Sequence, residues 1–130
     1  MKAALAPRRL ALVVDDSMLI RHTVCRFLEE RGFGVESATN PVEALELLKT
    51  VQPTVIITDM QMPKVTGSEL ITALKAKPAT SEIPIVVLAG KKASSDGPPE
   101  ARADYIIYKD IDIEEQLKKA LAAALSGAAR

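Results

Sequence analysis

LALVVDD, residues 10–16, is a short apolar run that ends abruptly in two carboxylates. Apolar residues in unbroken succession are how a strand reads when helices cover both of its faces. Three more runs of this kind follow, Val55 to Ile57, Ile85 to Leu88 and Tyr105 to Tyr108. A weaker fifth strand is expected at Val35 to Ala38, after the turn-forming Gly32-Phe33-Gly34. Between the runs the apolar period becomes that of amphipathic helices. Leu19, Ile20, Val24, Phe27 and Leu28 recur at helical spacing behind Ser17, which predicts a capped helix running to about Glu30. Asn40-Pro41-Val42-Glu43 is a capping-box start with proline in the first helical position, and Ala44, Leu45 and Leu48 mark its buried face. Leu70, Ile71 and Leu74 mark a third helix after Gly67. Asp112-Ile113-Glu114-Glu115 starts another, which continues through Leu117, Leu121 and Leu125.

Strand and helix thus alternate, which predicts an α/β domain with a parallel sheet and helices on both faces. One connection breaks the rhythm. The stretch from Ala89 to Asp104 contains Ser94-Ser95-Asp96-Gly97-Pro98-Pro99, so it reads as a loop with at most a short helix near Pro99 to Arg102.

The chain has 130 residues, of which 48% are hydrophobic, enough for one domain with a core that needs neither disulfides nor a structural metal. Seventeen Lys+Arg balance seventeen Asp+Glu, so there is no basic excess of the kind that draws a protein to nucleic acid or to an anionic membrane. The lone Cys25 has no disulfide partner and reads as an inert buried thiol in a reducing, cytoplasmic setting. Met1 to Ala6 faintly imitates a signal peptide, but Pro7-Arg8-Arg9 interrupts the apolar run, and no stretch approaches the ~20 apolar residues of a membrane span. The expected organisation is an N-terminal extension over residues 1–8, one domain over 9–126 and a tail over 127–130.

In an open parallel sheet, ligands bind outside the carboxyl ends of the strands. That rule selects Asp15 and Asp16 after the first strand, Asp59 after the third, Ala89-Gly90 after the fourth and Lys109-Asp110 after the fifth. Each alone has a bland reading: a helix cap, a strand end or a solvated charge. Together, carboxylates crowded at strand ends repel one another, and a hard divalent cation with a basic group nearby offsets that repulsion. Magnesium is the natural candidate, since it takes oxygen ligands, keeps several waters and shares phosphate oxygens.

At these residues the chain resembles the receiver domain of two-component response regulators, the CheY-like fold, over about residues 9–126. The resemblance rests on Asp15-Asp16, on Asp59 after Val55-Ile56-Ile57-Thr58, on Met60-Gln61-Met62-Pro63-Lys64-Val65-Thr66-Gly67, on Ile83-Pro84 before the fourth strand and on Lys109 after the fifth. It implies a doubly wound five-stranded parallel sheet in the order 2-1-3-4-5, here with the fourth helix short or missing. It also implies that Asp59 accepts a phosphoryl group from a phosphohistidine on a sensor histidine kinase or phosphotransfer protein. Asp16, Asp59 and the backbone carbonyl of Gln61 would bind Mg2+, with Asp15 assisting directly or through water, and Lys109 would contact a phosphoryl oxygen. Gln61 would influence attack of water on the acyl phosphate. Met60 and Met62 read as packing residues, and His22 as an exposed one on the helix where such partners dock, beside Arg21.

The chain departs from the family pattern at four places. Ala89 stands where the family has Thr or Ser, whose hydroxyl bonds the phosphoryl group. Asp110 stands where proline with a cis bond usually follows the lysine; a cis bond costs about 2.5 to 4 kcal/mol without proline, so a trans bond is expected. Ile106 occupies the usual place of the switch aromatic, with Tyr105 and Tyr108 flanking it, and a one-residue bulge would return Tyr105 to that place. The crossover from Ala89 to Asp104 is reshaped, and its Lys91-Lys92 pair reads as solvated. The short stretch after Lys109 gives the expectation of a stand-alone receiver that signals by binding another protein. The rival reading is a pseudo-receiver that keeps the fold without switching, and a magnesium-dependent phosphatase is disfavoured because no further general acid or substrate-binding insert stands out.

Overall fold

A computed structural model describes residues 9–59, 67–89, 104–109 and 112–128, with the backbone alone at 67, 68 and 126–128. The elements in chain order are β1 (Leu10–Val14), α1 (Met18–Glu30), β2 (Gly34–Ala38), α2 (Pro41–Leu47), β3 (Val55–Asp59), α3 (Gly67–Lys75), β4 (Ile85–Ala89), β5 (Tyr105–Tyr108) and α4 (Ile113–Ala128). All strands run parallel, in the order β2-β1-β3-β4-β5. The parallel sheet is the one the alternation of patterns predicts, and its strand order is the one the family resemblance implies. The expected short or missing helix between β4 and β5 falls on residues 90–103, outside the described residues.

Period 2 along the strands sorts the core into two layers. Ala11, Val13, Val55, Ile57, Val86, Leu88 and Ile107 project to one face, where Val24, Phe27 and Leu28 of α1 and Leu117, Ala120 and Leu121 of α4 cover them. Leu12, Val14, Ile56, Ile85 and Val87 project to the other, under Ala44 of α2 and Leu70, Ile71 and Leu74 of α3. Burial on both faces explains why β1, β3 and β4 lack polar alternation. Each fully buried Leu or Ile contributes about 1.5–3 kcal/mol relative to leaving it exposed.

Helix ends follow their local chemistry. Ser17 caps α1 by accepting from the Ile20 amide at 3.3 Å. At the other end Phe33 N–H donates to Leu28 O at 3.1 Å and Gly32 N–H to Glu29 O at 3.0 Å, the paired bonds that close a helix through a left-handed residue. Gly32 supplies that residue at φ +89°. Asn40 caps α2, accepting from the Glu43 amide at 2.9 Å.

One expected core position is corrected. Leu19 is 72% exposed although Ile20 beside it packs on the core, because at 100° per residue Leu19 falls on the helix face of His22, Thr23 and Arg26, three, four and seven residues on, rather than on the stripe of Ile20, Val24 and Phe27. Cys25 is half-buried rather than fully buried; burial pushes its thiol up from the ordinary value, nearby Glu29 adds to the rise and Arg21 offsets part of it.

Candidate phosphoacceptor site

The chain moves from β1 outward to β2, then returns past β1 to β3 and continues the other way. Such a reversal leaves a crevice between the two central strands at their carboxyl ends. Asp15 and Asp16 follow β1, and Asp59 is the last residue of β3, so the crevice is lined by acids. Carboxylate oxygens of Asp15, Asp16 and Asp59 all lie within 4.8 Å of one another.

Lys109, immediately after β5, reaches into this cluster. Its Nζ lies 3.0 Å from Asp59 Oδ1 and 3.1 Å from Asp15 Oδ2. Asp15 is fully buried and Asp59 is 2% exposed, whereas Asp16 faces solvent. Partial burial pulls the Lys109 ammonium down. The hydrogen bond and charge of Asp59, then the neighbouring charge of Asp15, outweigh it and hold the group above its ordinary lysine value of 10.5. Stability from the pairing is therefore fully present at neutral pH and is lost only as pH rises through that raised value.

Asp15 is anchored on three sides. Its backbone N–H donates to Ala38 O at 3.1 Å, its Oδ1 accepts from the Ser17 amide at 2.8 Å, and its carbonyl accepts from Arg21 Nη1 at 2.8 Å. Only Oδ2 is left facing the crevice. It has the lysine as an ion-pair neighbour but no hydrogen bond of good angle. The Arg21 contact was not legible as such: an arginine on the first helix reads as a solvated charge or a docking residue until the fold lays it over the β1 end.

Ala89 is buried at the end of β4, and its carbonyl accepts from the Lys109 amide at 2.9 Å. No bulge interrupts β5 to return Tyr105 to the switch place. β4 and β5 pair without a break, Val86 with Tyr105 through Ala89 with Tyr108. Tyr105 packs against the α1–α4 layer, while Ile106 packs against the opposite layer, the face that alternation also gives Ala89. Ala89 and Tyr105 are thus on opposite sides of the sheet. Gln61, Met60, Met62, Asp110 and the Lys91-Lys92 pair lie outside the described residues. His22 is exposed.

Comparison with known proteins gives a match over residues 11–122 to the model of the response regulator receiver domain family. The chain belongs to that family. Response regulator MprA of Mycobacterium sp. (strain KMS) is 33% identical over 110 residues, which are 83% of this chain and 47% of MprA. The chain therefore spans about half the length of the MprA proteins it matches. Among solved structures, the chemotaxis response regulator CheY4 of Vibrio cholerae is 30% identical with a TM-score of 0.81, covering 91% of this chain and 99% of that one. The signal receiver domain of a signal transduction histidine kinase from Syntrophus aciditrophicus is 31% identical with a TM-score of 0.82, covering 94% and 93%. Receiver domains of two-component systems interact with histidine kinases or phosphotransfer proteins, and they are signalling domains rather than enzymes of metabolism. Among the described residues no helix is long and apolar enough to cross a membrane.

Proposed function

We propose that this receiver accepts a phosphoryl group on Asp59 from the phosphohistidine of a histidine kinase or phosphotransfer protein, in a Mg2+-dependent reaction, and signals in the cytoplasm by binding another protein. The observation that carries the reading is the meeting of Lys109 Nζ with Asp59 and Asp15 at 3.0 and 3.1 Å beside a third carboxylate. An Asp59 oxygen would attack phosphorus as the P–N bond to the donor imidazole breaks. Lys109 meets charge on the transferred group, which is most of what phosphoryl transfer asks of a protein. Release of the group to water would be assisted by the same residues, not by a separate active site.

The donor set fits a magnesium ion. Three carboxylates face one ammonium, and the buried Asp15 Oδ2 keeps lone pairs that no well-angled donor occupies. Asp16 and Asp59, with the carbonyl of Gln61, would hold the ion, with Asp15 bound directly or through water. When bound, it supplies a hard positive charge to phosphoryl oxygens.

The pseudo-receiver stays as the second reading because Ala89 brings no hydroxyl to the phosphoryl position. Incubation with Mg2+ and acetyl phosphate, followed by intact mass, separates the two. The expected result is a gain of one phosphoryl group that Asp59→Asn abolishes. No gain in the wild-type chain overturns phosphotransfer in favour of a constitutive binding module.

A further inference from the structure

We propose that Gln116 of α4 is a positioning residue for Lys109, a role that rests on the reading of Lys109 given above. β5 is an edge strand. The Lys109 amide points inward, donating to Ala89 O at 2.9 Å. The N–H and C=O of Tyr108 therefore point the other way, to the open edge, by the alternation of a strand. Gln116 meets both: Tyr108 N–H donates to its Oε1 at 3.0 Å, and its Nε2 donates to the Tyr108 carbonyl at 2.8 Å. Nε2 also donates to Asp112 O at 3.2 Å, which ties the clamp to the start of α4.

A carboxamide is the neutral side chain that offers a donor and an acceptor side by side, so it completes the edge as a further strand would. It holds the two peptide units on either side of Tyr108, and the second of them leads into Lys109. The carbonyl of the Tyr108–Lys109 peptide is held by Gln116 and its N–H by Ala89. Rotation of that unit would break a bond on one side or the other. Lys109 begins at that unit, and its flexible stem must place Nζ between Asp59 and Asp15. A lysine stem alone has several rotamers, so a fixed origin narrows where the ammonium can be found. Leucine at this position would fill a similar volume but leave both Tyr108 groups without the clamp.

The test compares wild type with Gln116→Leu, Lys109→Ala and the double variant, each checked for a cooperative thermal transition. Two readouts are taken: the initial rate of Asp59 phosphorylation by acetyl phosphate with Mg2+, and the rate of amine modification at Lys109 against exposed Lys77 in the same sample, by peptide mass. Gln116→Leu is expected to slow phosphorylation on the order of tenfold and to raise modification of Lys109 several-fold. In the Lys109→Ala background the same change is expected to alter the rate by less than about twofold. Unchanged Lys109 modification, or a full rate loss that persists without Lys109, overturns the proposal. If the wild-type chain takes up no phosphoryl group, the phosphotransfer reading fails by itself, and Lys109 modification alone decides the positioning. Should Gln116→Leu not fold, Gln116→Glu keeps the acceptor for Tyr108 N–H but sets an oxygen against the Tyr108 carbonyl, and the same changes are expected.

Discussion

Ala89 follows Leu88, the register partner of Asp59, and offers a methyl group at the position where the family resemblance implies a hydroxyl for the phosphoryl group. A hydrogen bond to a charged group contributes about 1.5–3 kcal/mol, as much as a typical coupling between two sites in a switching protein. The wild-type chain is therefore expected to be phosphorylated with little change beyond the crevice. In Ala89→Thr the added hydroxyl should shift the balance toward the switched form roughly tenfold or more. Amide chemical shifts recorded before and after phosphorylation test this. Larger changes along β4 and β5 in Ala89→Thr support the missing bond as the cause, and equal changes in both proteins reject it. The opposite placement of Tyr105 makes the same point by geometry, since Ile106 rather than an aromatic ring lies on the side of Ala89.

Among the elements, α2 shows how local chemistry sets a boundary and a pH response together. Glu43 Oε1 accepts from the Thr39 amide at 2.7 Å and from the Thr39 hydroxyl at 2.9 Å, one residue earlier than a simple capping box directs it. The backbone bond from Thr39, then the hydroxyl bond, holds the Glu43 carboxyl below its usual value, burial opposes slightly and Arg21 adds a small pull downward. A depressed folded value stabilises above the unfolded value and is lost as pH falls through the folded one. Glu43→Gln should thus lower the thermal midpoint slightly near pH 7 and progressively less as pH falls through the depressed carboxyl value, measured by melts from neutral to acid pH. An equal loss at both ends would mean that charge is irrelevant to this cap. The same elements mark how far the sequence could be read. Unbroken apolar runs and caps such as Ser17, Asn40 and Asp112 are local signals, and they placed the strands and helix starts within a residue or two. Arg21 and Gln116 were not legible, because their roles depend on which element another part of the chain lays beside them, whereas the exposure of Leu19 could have been read from its helical neighbours His22, Thr23 and Arg26.

For the whole molecule, the decisive feature is the reversal of strand order at β1 and β3, which brings carboxylates distant in sequence to one crevice. Their placement at strand ends could be read from the sequence through the topology rule, but their burial and the lysine pairing needed the fold. Three carboxylates facing one ammonium store repulsion that a divalent ion would relieve, so binding should be visible as stability of the entire domain. A ligand that binds only the folded chain stabilises it by about 2.7 kcal/mol at a hundredfold excess over Kd. Thermal midpoints are expected to rise by several degrees on titration with magnesium chloride and to return on chelation. Sodium chloride of equal ionic strength separates a site from general screening, because screening acts on exposed charges whatever the ion's valence. Asp16→Asn supplies the second control, since this exposed residue leaves the buried Asp15–Lys109–Asp59 pairing untouched while removing one ligand oxygen's charge. A magnesium effect no larger than that of sodium, or one undiminished in Asp16→Asn, would show that the cluster is held by Lys109 alone and that the crevice has no need of a metal.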